Sequence, residues 1–344
     1  MLRVIELSRR HTTQNLNVLP GVSSIGAEVS GEGSLSGRWL CGRSTFGTWS
    51  MQARGEVAWT MLISDIGPHY DASFFLDLLQ DYRCNVYSLC PIVTEREIRE
   101  SVSLMHMSRE HCSLVYALGA VTINLTKTDP THDPNVSKQT FYLSLRSTEL
   151  RGASLLSGEV TIRLIMVSLF LHNCLMTLRK FDMAFFYLQE AITMMLMLRM
   201  DDAAAVSKLD VQERARRQRL YWAAFIHERV LAVVDHRQVM LPPLGSDTPE
   251  FDPSLPPGAH EGFAKIVKLF SLMDDEFLRN WLFLASSTAS TAVTTAWIER
   301  KHRKLEDKGS ASLMPLPSSC SIACLGDMAQ AALIVTRYWL RTLL

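Results

Sequence analysis

Three consecutive carboxylates at Asp274, Asp275 and Glu276 are a natural place to look for metal chemistry in this 344-residue chain. Bridging a diphosphate through a hard cation needs oxygen ligands about one helical turn apart on a single face. Consecutive residues point to different faces, and no second acidic motif accompanies them. They read instead as a helix start, where negative charge meets unpaired amides, and Asp201-Asp202 reads the same way. His106, His111 and Cys112 cluster in sequence and Cys320 lies one turn from Cys324, yet neither group supplies the four spaced ligands of a zinc site. These are expected to be inert side chains of a helical core. There is no glycine-rich phosphate loop and no Gly-x-Ser-x-Gly elbow. The residue types and spacings thus predict no catalytic residue, no metal and no cofactor, and a chain that is not an enzyme.

Other charged groups have non-catalytic uses. Arg300, Lys301, Arg303 and Lys304 form a short basic cluster that could serve nuclear localisation, or simply sit at a helix C-terminus where cations are favoured. Arg214, Arg216, Arg217 and Arg219 lack interleaved aromatics and precede an apolar stretch, so no direct DNA contact is predicted from this chain. Glu228 and Arg229 lie among Phe225, Ile226 and Leu231, which predicts a half-buried pair. Arg229 is expected to anchor a helix junction. Leu340 to Leu344 spells Leu-x-x-Leu-Leu, a pattern that also suits groove binding.

Composition narrows the classes further. Nearly half the chain, 47%, is apolar, which is enough for a large core. Lys plus Arg and Asp plus Glu both total 35, and a net charge of zero argues against a broad field for nucleic acid or membrane. Seven cysteines, an odd number without a secretory leader, read as reduced and mostly buried thiols. The uncharged run 280–298 contains seven Ser or Thr residues and is too polar for a membrane span.

Eight of the seventeen glycines fall within residues 1 to about 60, with no sustained period, so residues 1–64 are expected as a disordered leader. Residues 65–344 are expected to be all-α, a bundle of packed antiparallel helical hairpins. Phe74, Phe75, Leu78, Leu79 and Tyr82 form one apolar stripe ending at Cys90-Pro91. Thr94 and Glu97 predict a capping box, and 114–125 a helix. Asp129-Pro130 and Asp133-Pro134 mark a loop. A hairpin follows, with arms 159–176 and 181–200, a turn at 177–180, and Ala184, Tyr187, Leu188, Ala191 and Ile192 facing inward. Its methionines Met194, Met195, Met197 and Met200 fill a helix interface or line an adaptable groove. After an irregular crossover over 244–258, helices are expected at 260–273, 275–304 and 320–344.

The stretch that organises the chain is 210–243. Asp210 and Glu213 predict a second capping box, and Leu220, Tyr221, Ala224, Phe225, Leu231 and Ala232 recur at helical steps up to a Leu-Pro-Pro stop at 241–243. The order Arg216-Arg217, Trp222, Phe225, Glu228-Arg229, Arg237 and Leu241-Pro242-Pro243 resembles the fungal-specific transcription factor domain, the helical middle region of Zn2Cys6 regulators. With the text on either side, the likeness runs over roughly 71–304 and favours the branch of maltose and sucrose utilisation activators and secondary-metabolite cluster regulators. Arg237-Gln238 departs from the family's Arg-Pro. Arg217, Trp222, Phe225, Glu228 and Arg229 are the structural signature that the resemblance marks.

The family's zinc cluster needs six cysteines beginning Cys-x2-Cys-x6-Cys, and only Cys41 lies in the first eighty residues. This chain is therefore expected to bind neither zinc nor DNA by that route, being either part of a longer regulator or a member without its own DNA reader. The resemblance implies a nuclear regulator of a metabolic or secondary-metabolite gene cluster. Its implied partners are a small-molecule effector or corepressor and a dimer partner or DNA-binding regulator, with no membrane contact. The alternative reading is a cytosolic helical scaffold or interaction module.

Overall fold

Short polar residues stand ahead of the apolar runs in this chain, and their side chains can take the amides that a first helical turn leaves unbonded. The computed structural model describes residues 70–87, 89–127, 133–152, 159–285, 294–312 and 323–344, and no strand occurs among them: the fold is all-α. The expected leader 1–64, with Cys41, lies outside the described residues.

Asp71 opens α1 (Ala72–Asp77) by accepting from the Phe74 amide at 3.1 Å. A π-helical turn, Tyr82–Val86, closes the same stripe. Thr94 and Glu97 form the predicted reciprocal box at α2 (Glu95–Leu104). Ser108 caps α3 (Arg109–Thr126), and Asp133 caps α4 (Pro134–Arg151). Thr161 caps α5 (Ile162–Thr177), which turns back as α6 (Phe181–Met197). Asp202 caps a four-residue helical turn, and Asp210 opens α7 (Val211–Val234). Beyond the crossover come α8 (Pro257–Phe270), α9 (Asp275–Ala285), α10 (Thr295–Ser312) and α11 (Ala323–Leu343).

Several expectations need correction. The Asp133-Pro134 step begins α4, where a loop was expected. Proline at the first helical position lacks only an amide that would have gone unbonded, and the Asp133 carboxylate accepts from the Asn135 amide at 2.9 Å. The single helix expected over 275–304 falls into two among the described residues: α9 is bounded at Ala285, Thr294 caps α10, and 286–293 lie outside the described residues. At α7 only half of the predicted box forms: Asp210 accepts from the Glu213 amide at 2.9 Å, while the Glu213 carboxylate turns to Arg216 and Arg217. The cysteines are not all reduced. Cys90, Cys112 and Cys174 are free thiols, while Cys84 is disulfide-bonded.

The core runs along α3, which packs on α4 and α5, while α5 packs on α6 and α7 lies against α6, α8 and α9. α11 packs on α8 and on the π-helical turn, so Leu340 is buried and the Leu-x-x-Leu-Leu pattern is turned onto the chain's own core. Where α1 crosses α3, a Cβ on Gly119 would stand 2.9 Å from Cε1 of the buried Phe75 ring. The turns after α5 and α6 close with the same pair of bonds. Lys180 N–H reaches Leu175 O and Arg179 N–H reaches Met176 O; Met200 and Arg199 repeat this on Met195 and Leu196. Arg179 and Arg199 take the left-handed conformation that such turns demand, at φ 57° and 52°. No helix among the described residues is long and apolar enough to cross a membrane.

His172 of α5 and His227 of α7 meet edge to face in the core, ring centroids 4.8 Å apart. His172 Nδ1 lies 2.9 Å from the Ala184 carbonyl oxygen, which fixes it as the donor. Burial pushes His172 down to about 4 and His227 well below the ordinary range.

Two outcomes follow from this packing. Gly119→Val should destabilise by about 1–3 kcal/mol in urea denaturation, because the Phe75 ring has to move. Stability should be full above the imidazole pKa of the unfolded chain, about 6.5, and fall as pH drops from there toward about 4, by about 1.4 kcal/mol per pH unit for each withheld proton. In a pH series of melting curves, His172→Asn should flatten that fall.

Candidate functional site

Four of the five signature residues, Trp222, Phe225, Glu228 and Arg229, lie from the middle of α7 toward the crossover, while Arg217 lies near the helix start. Trp222 and Phe225 are buried one turn apart on α7, ring centroids 4.9 Å apart. Glu228 and Arg229, expected to be half buried, are fully buried at 2% and 1% exposure. Glu228 accepts from the Met240 amide at 2.6 Å, the Leu241 amide at 3.0 Å and Arg229 Nη1 at 3.0 Å. Arg229 also donates to the Leu241 carbonyl at 2.7 Å and lies 3.5 Å above the Phe225 ring centroid. Burial pushes the Glu228 carboxyl up and Arg229 down to about 10, so Arg229 stays charged at neutral pH. Every one of these bonds ends inside the chain, which makes the pair a clamp that returns the segment after α7 to the helix.

The basic start of α7 is equally committed. Arg214 binds Glu250 at 2.8 Å, and Arg216 reaches Glu97 of the α2 capping box at 2.6 Å. Arg217 pairs with Glu213 at 2.7 Å. Arg219 is buried: it donates to Asp252 at 2.9 Å and to the Pro91 carbonyl at 2.8 Å. Its position was legible in part, since Arg219 lies four residues after buried Ala215 and three before buried Trp222, on one helical face. Asp252 carried no such signal.

The basic cluster of α10 is divided by the fold. Lys301 is buried, donating to Asp274 at 2.5 Å and to the Leu272 carbonyl at 3.2 Å, and Arg300 pairs with Glu276 at 3.1 Å. Arg303 and Lys304 are exposed. Asp274 serves the cap expected of it, accepting from the Phe277 amide at 3.0 Å. Among the described residues, no group of three or more His, Cys, Asp or Glu is placed to hold a metal ion. His111 bonds Ser101 at 3.1 Å and is mostly buried.

A surface groove with room for another molecule lies along α6. A groove of about 770 Å³ runs beside Phe186, Gln189, Glu190, Met194, Met197 and Val160. Its volume falls in the range of small-molecule sites, roughly 300–1,000 Å³. Of the methionines, Met194, Met195 and Met200 are buried and Met197 is 65% exposed, so the cluster both fills the core and lines the groove. Glu190 forms part of the floor, held by Arg151 at 2.5 Å and by the Ser168 hydroxyl at 3.0 Å.

Comparison with known proteins gives a distant relative. The chain is 22% identical over 284 residues to a probable sucrose utilization protein of Candida albicans, covering 80% of this chain and 53% of that protein. It thus spans about half the length of that curated relative. No protein-family model matches the chain. No solved structure matches it.

The two kinds of charge pair should separate cleanly. Arg229→Ala strands a buried carboxylate and should cost about 3–5 kcal/mol in urea denaturation. Arg99→Ala, which opens only the exposed pair with Glu95, should cost less than about 0.5 kcal/mol.

Proposed function

We propose that this chain is the helical regulatory domain of a fungal Zn2Cys6-type transcription regulator governing a metabolic or secondary-metabolite gene cluster. The observation that carries the reading is the similarity to a probable sucrose utilization protein over 80% of the chain, a span long enough to take in all of α7. The buried Glu228-Arg229 pair, closing on Leu241 ahead of two prolines, fits a helix whose sequence order resembles that regulatory domain. In this proposal the chain makes and breaks no bonds. A small-molecule effector or a corepressor favours one of two packings of the helices and so exposes or masks an activating surface. The DNA address comes from elsewhere, and the chain works in the nucleus.

A second reading, a cytosolic interaction module, is favoured by the exposed apolar side chains Met183, Phe186 and Met197 of α6. Fluorescent tagging in a fungal cell separates the two. Nuclear accumulation is the expected outcome, and steady exclusion from the nucleus sinks the regulator. A thermal-shift panel of mono- and disaccharides should give a saturable rise in Tm with at least one sugar. A flat panel would remove the sugar effector and leave regulation through a protein partner.

A further inference from the structure

A smaller recess, of about 290 Å³, lies where the π-helical turn, the start of α2 and the end of the crossover meet. The turn and the residue after it supply Arg83 and Tyr87, α2 supplies Glu95 and Arg96 behind its cap Thr94, and the crossover supplies Pro256. Thr94 and Pro256 are the residues ahead of the first turns of α2 and α8, so two helix starts border the same space. Each carries amides without an intrahelical acceptor and the positive end of a helix dipole. Thr94 takes the Glu97 amide, and α8 has no side-chain cap. Arg96 is exposed and makes no hydrogen bond or ion pair among the described residues. Arg83 stands 3.4 Å from Glu95, whose other oxygen binds Arg99 at 2.8 Å. The other carboxylates near Tyr87 are already matched, Glu97 by Arg216 and Asp252 by Arg219.

Tyr87 is the group that calls for an occupant. Its side chain is 4% exposed, yet its hydroxyl makes no hydrogen bond among the described residues. The hydroxyl is not sealed from solvent either, so it opens into the recess that the residue lines. Burial pushes the phenol above its ordinary range, which leaves it a donor at neutral pH.

We propose that this recess binds a phosphate group, free or as the monoester of a small metabolite, with Tyr87 and Arg96 donating to its oxygens while Arg83 and the two helix starts supply the positive field. A wall of donors with no free acceptor suits an anion rich in oxygens, and helix starts favour such a group. The arriving oxyanion would also give the buried hydroxyl the acceptor it lacks. The volume lies at the small end of ligand sites, roughly 300–1,000 Å³, which suits a phosphate carrying few carbons. Since the crossover forms one wall, the occupant would join it to α2 from the side opposite its bonds to α7. The site stands on this geometry alone; under the regulator reading such a metabolite would be the effector.

The test is isothermal titration calorimetry of the full chain, in low-salt chloride buffer, with inorganic phosphate, glycerol 3-phosphate and glycerol. Both phosphates should bind saturably and glycerol should not. Tighter binding of glycerol 3-phosphate than of inorganic phosphate makes the ester the ligand, and the reverse order makes it the free ion. Arg96→Ala and Tyr87→Phe should each raise the dissociation constant at least about tenfold. Circular dichroism should not change, because Arg96 is exposed and phenylalanine keeps the packed ring. Arg303→Ala, which removes the same charge from the surface of α10, should leave binding as it was. The proposal is overturned if neither phosphate binds up to about 10 mM, if glycerol binds as well as its phosphate, if Arg96→Ala or Tyr87→Phe binds like the unsubstituted chain, or if Arg303→Ala weakens binding as much. Each of these failures would leave nuclear accumulation, the test of the regulator reading, untouched.

Discussion

Everything around α7 depends on how a helix can carry charged side chains into a core without leaving any of them alone. Two of its arginines, Arg219 and Arg229, are only 1% exposed. Removing a guanidinium from water costs several kcal/mol, and the attraction of one carboxylate repays that only when further hydrogen bonds share the load. The chain meets the condition twice in the same manner. Each arginine has a carboxylate at hydrogen-bond distance and a backbone carbonyl from a distant segment, Pro91 for Arg219 and Leu241 for Arg229. The carboxylates are themselves tied to backbone amides, at Ser254 for Asp252 and at Met240 and Leu241 for Glu228. The result specifies place more than it adds stability. Apolar side chains would fill the same volume, but they would not dictate which carbonyl must face the helix.

Around these two anchors the remaining contacts fall into order. Glu97 completes the cap of α2 and also receives Arg216, so the start of one helix is fixed by the start of another 119 residues away in sequence. Arg214 and Gln218 hold Glu250, and the Tyr221 hydroxyl holds the Pro242 carbonyl at 2.8 Å. On the opposite side α7 meets the α5–α6 hairpin through His227 and His172, a contact that needs both rings neutral. One helix thus joins a hairpin, a capping box and a crossover by three different kinds of chemistry.

What the sequence made legible follows the range of the physics involved. Local signals were strong: Asp71, Thr94, Asp202 and Asp210 stand one residue ahead of helices, and Ala184, Leu188, Ala191 and Ile192 face inward as their spacing required. Signals with two meanings failed where the context lay out of reach. Asp-Pro marks a turn or a first helical turn with equal local merit, and α4 was missed for that reason. The turns after α5 and α6 use arginine in the left-handed position, so the glycine that usually announces such an ending is absent. At the site, the burial of Glu228 and Arg229 could be read from their apolar neighbours. Asp252 could not be paired with Arg219, and Lys301 could not be told from Arg303, because both assignments depend on elements that meet only after folding.

The crossover between α7 and α8 is fastened by side chains. Glu228, Arg229, Tyr221, Gln218, Arg214 and Arg219 take the bonds of 240–252, and each of those contacts can let go without breaking a turn of helix. Such a strap can peel away as one cooperative piece while the bundle beneath keeps its backbone intact. Its amides would then exchange with solvent deuterium at a shared rate, faster than those of α7 itself, and the opened form would uncover the apolar flank of the helix it normally shields.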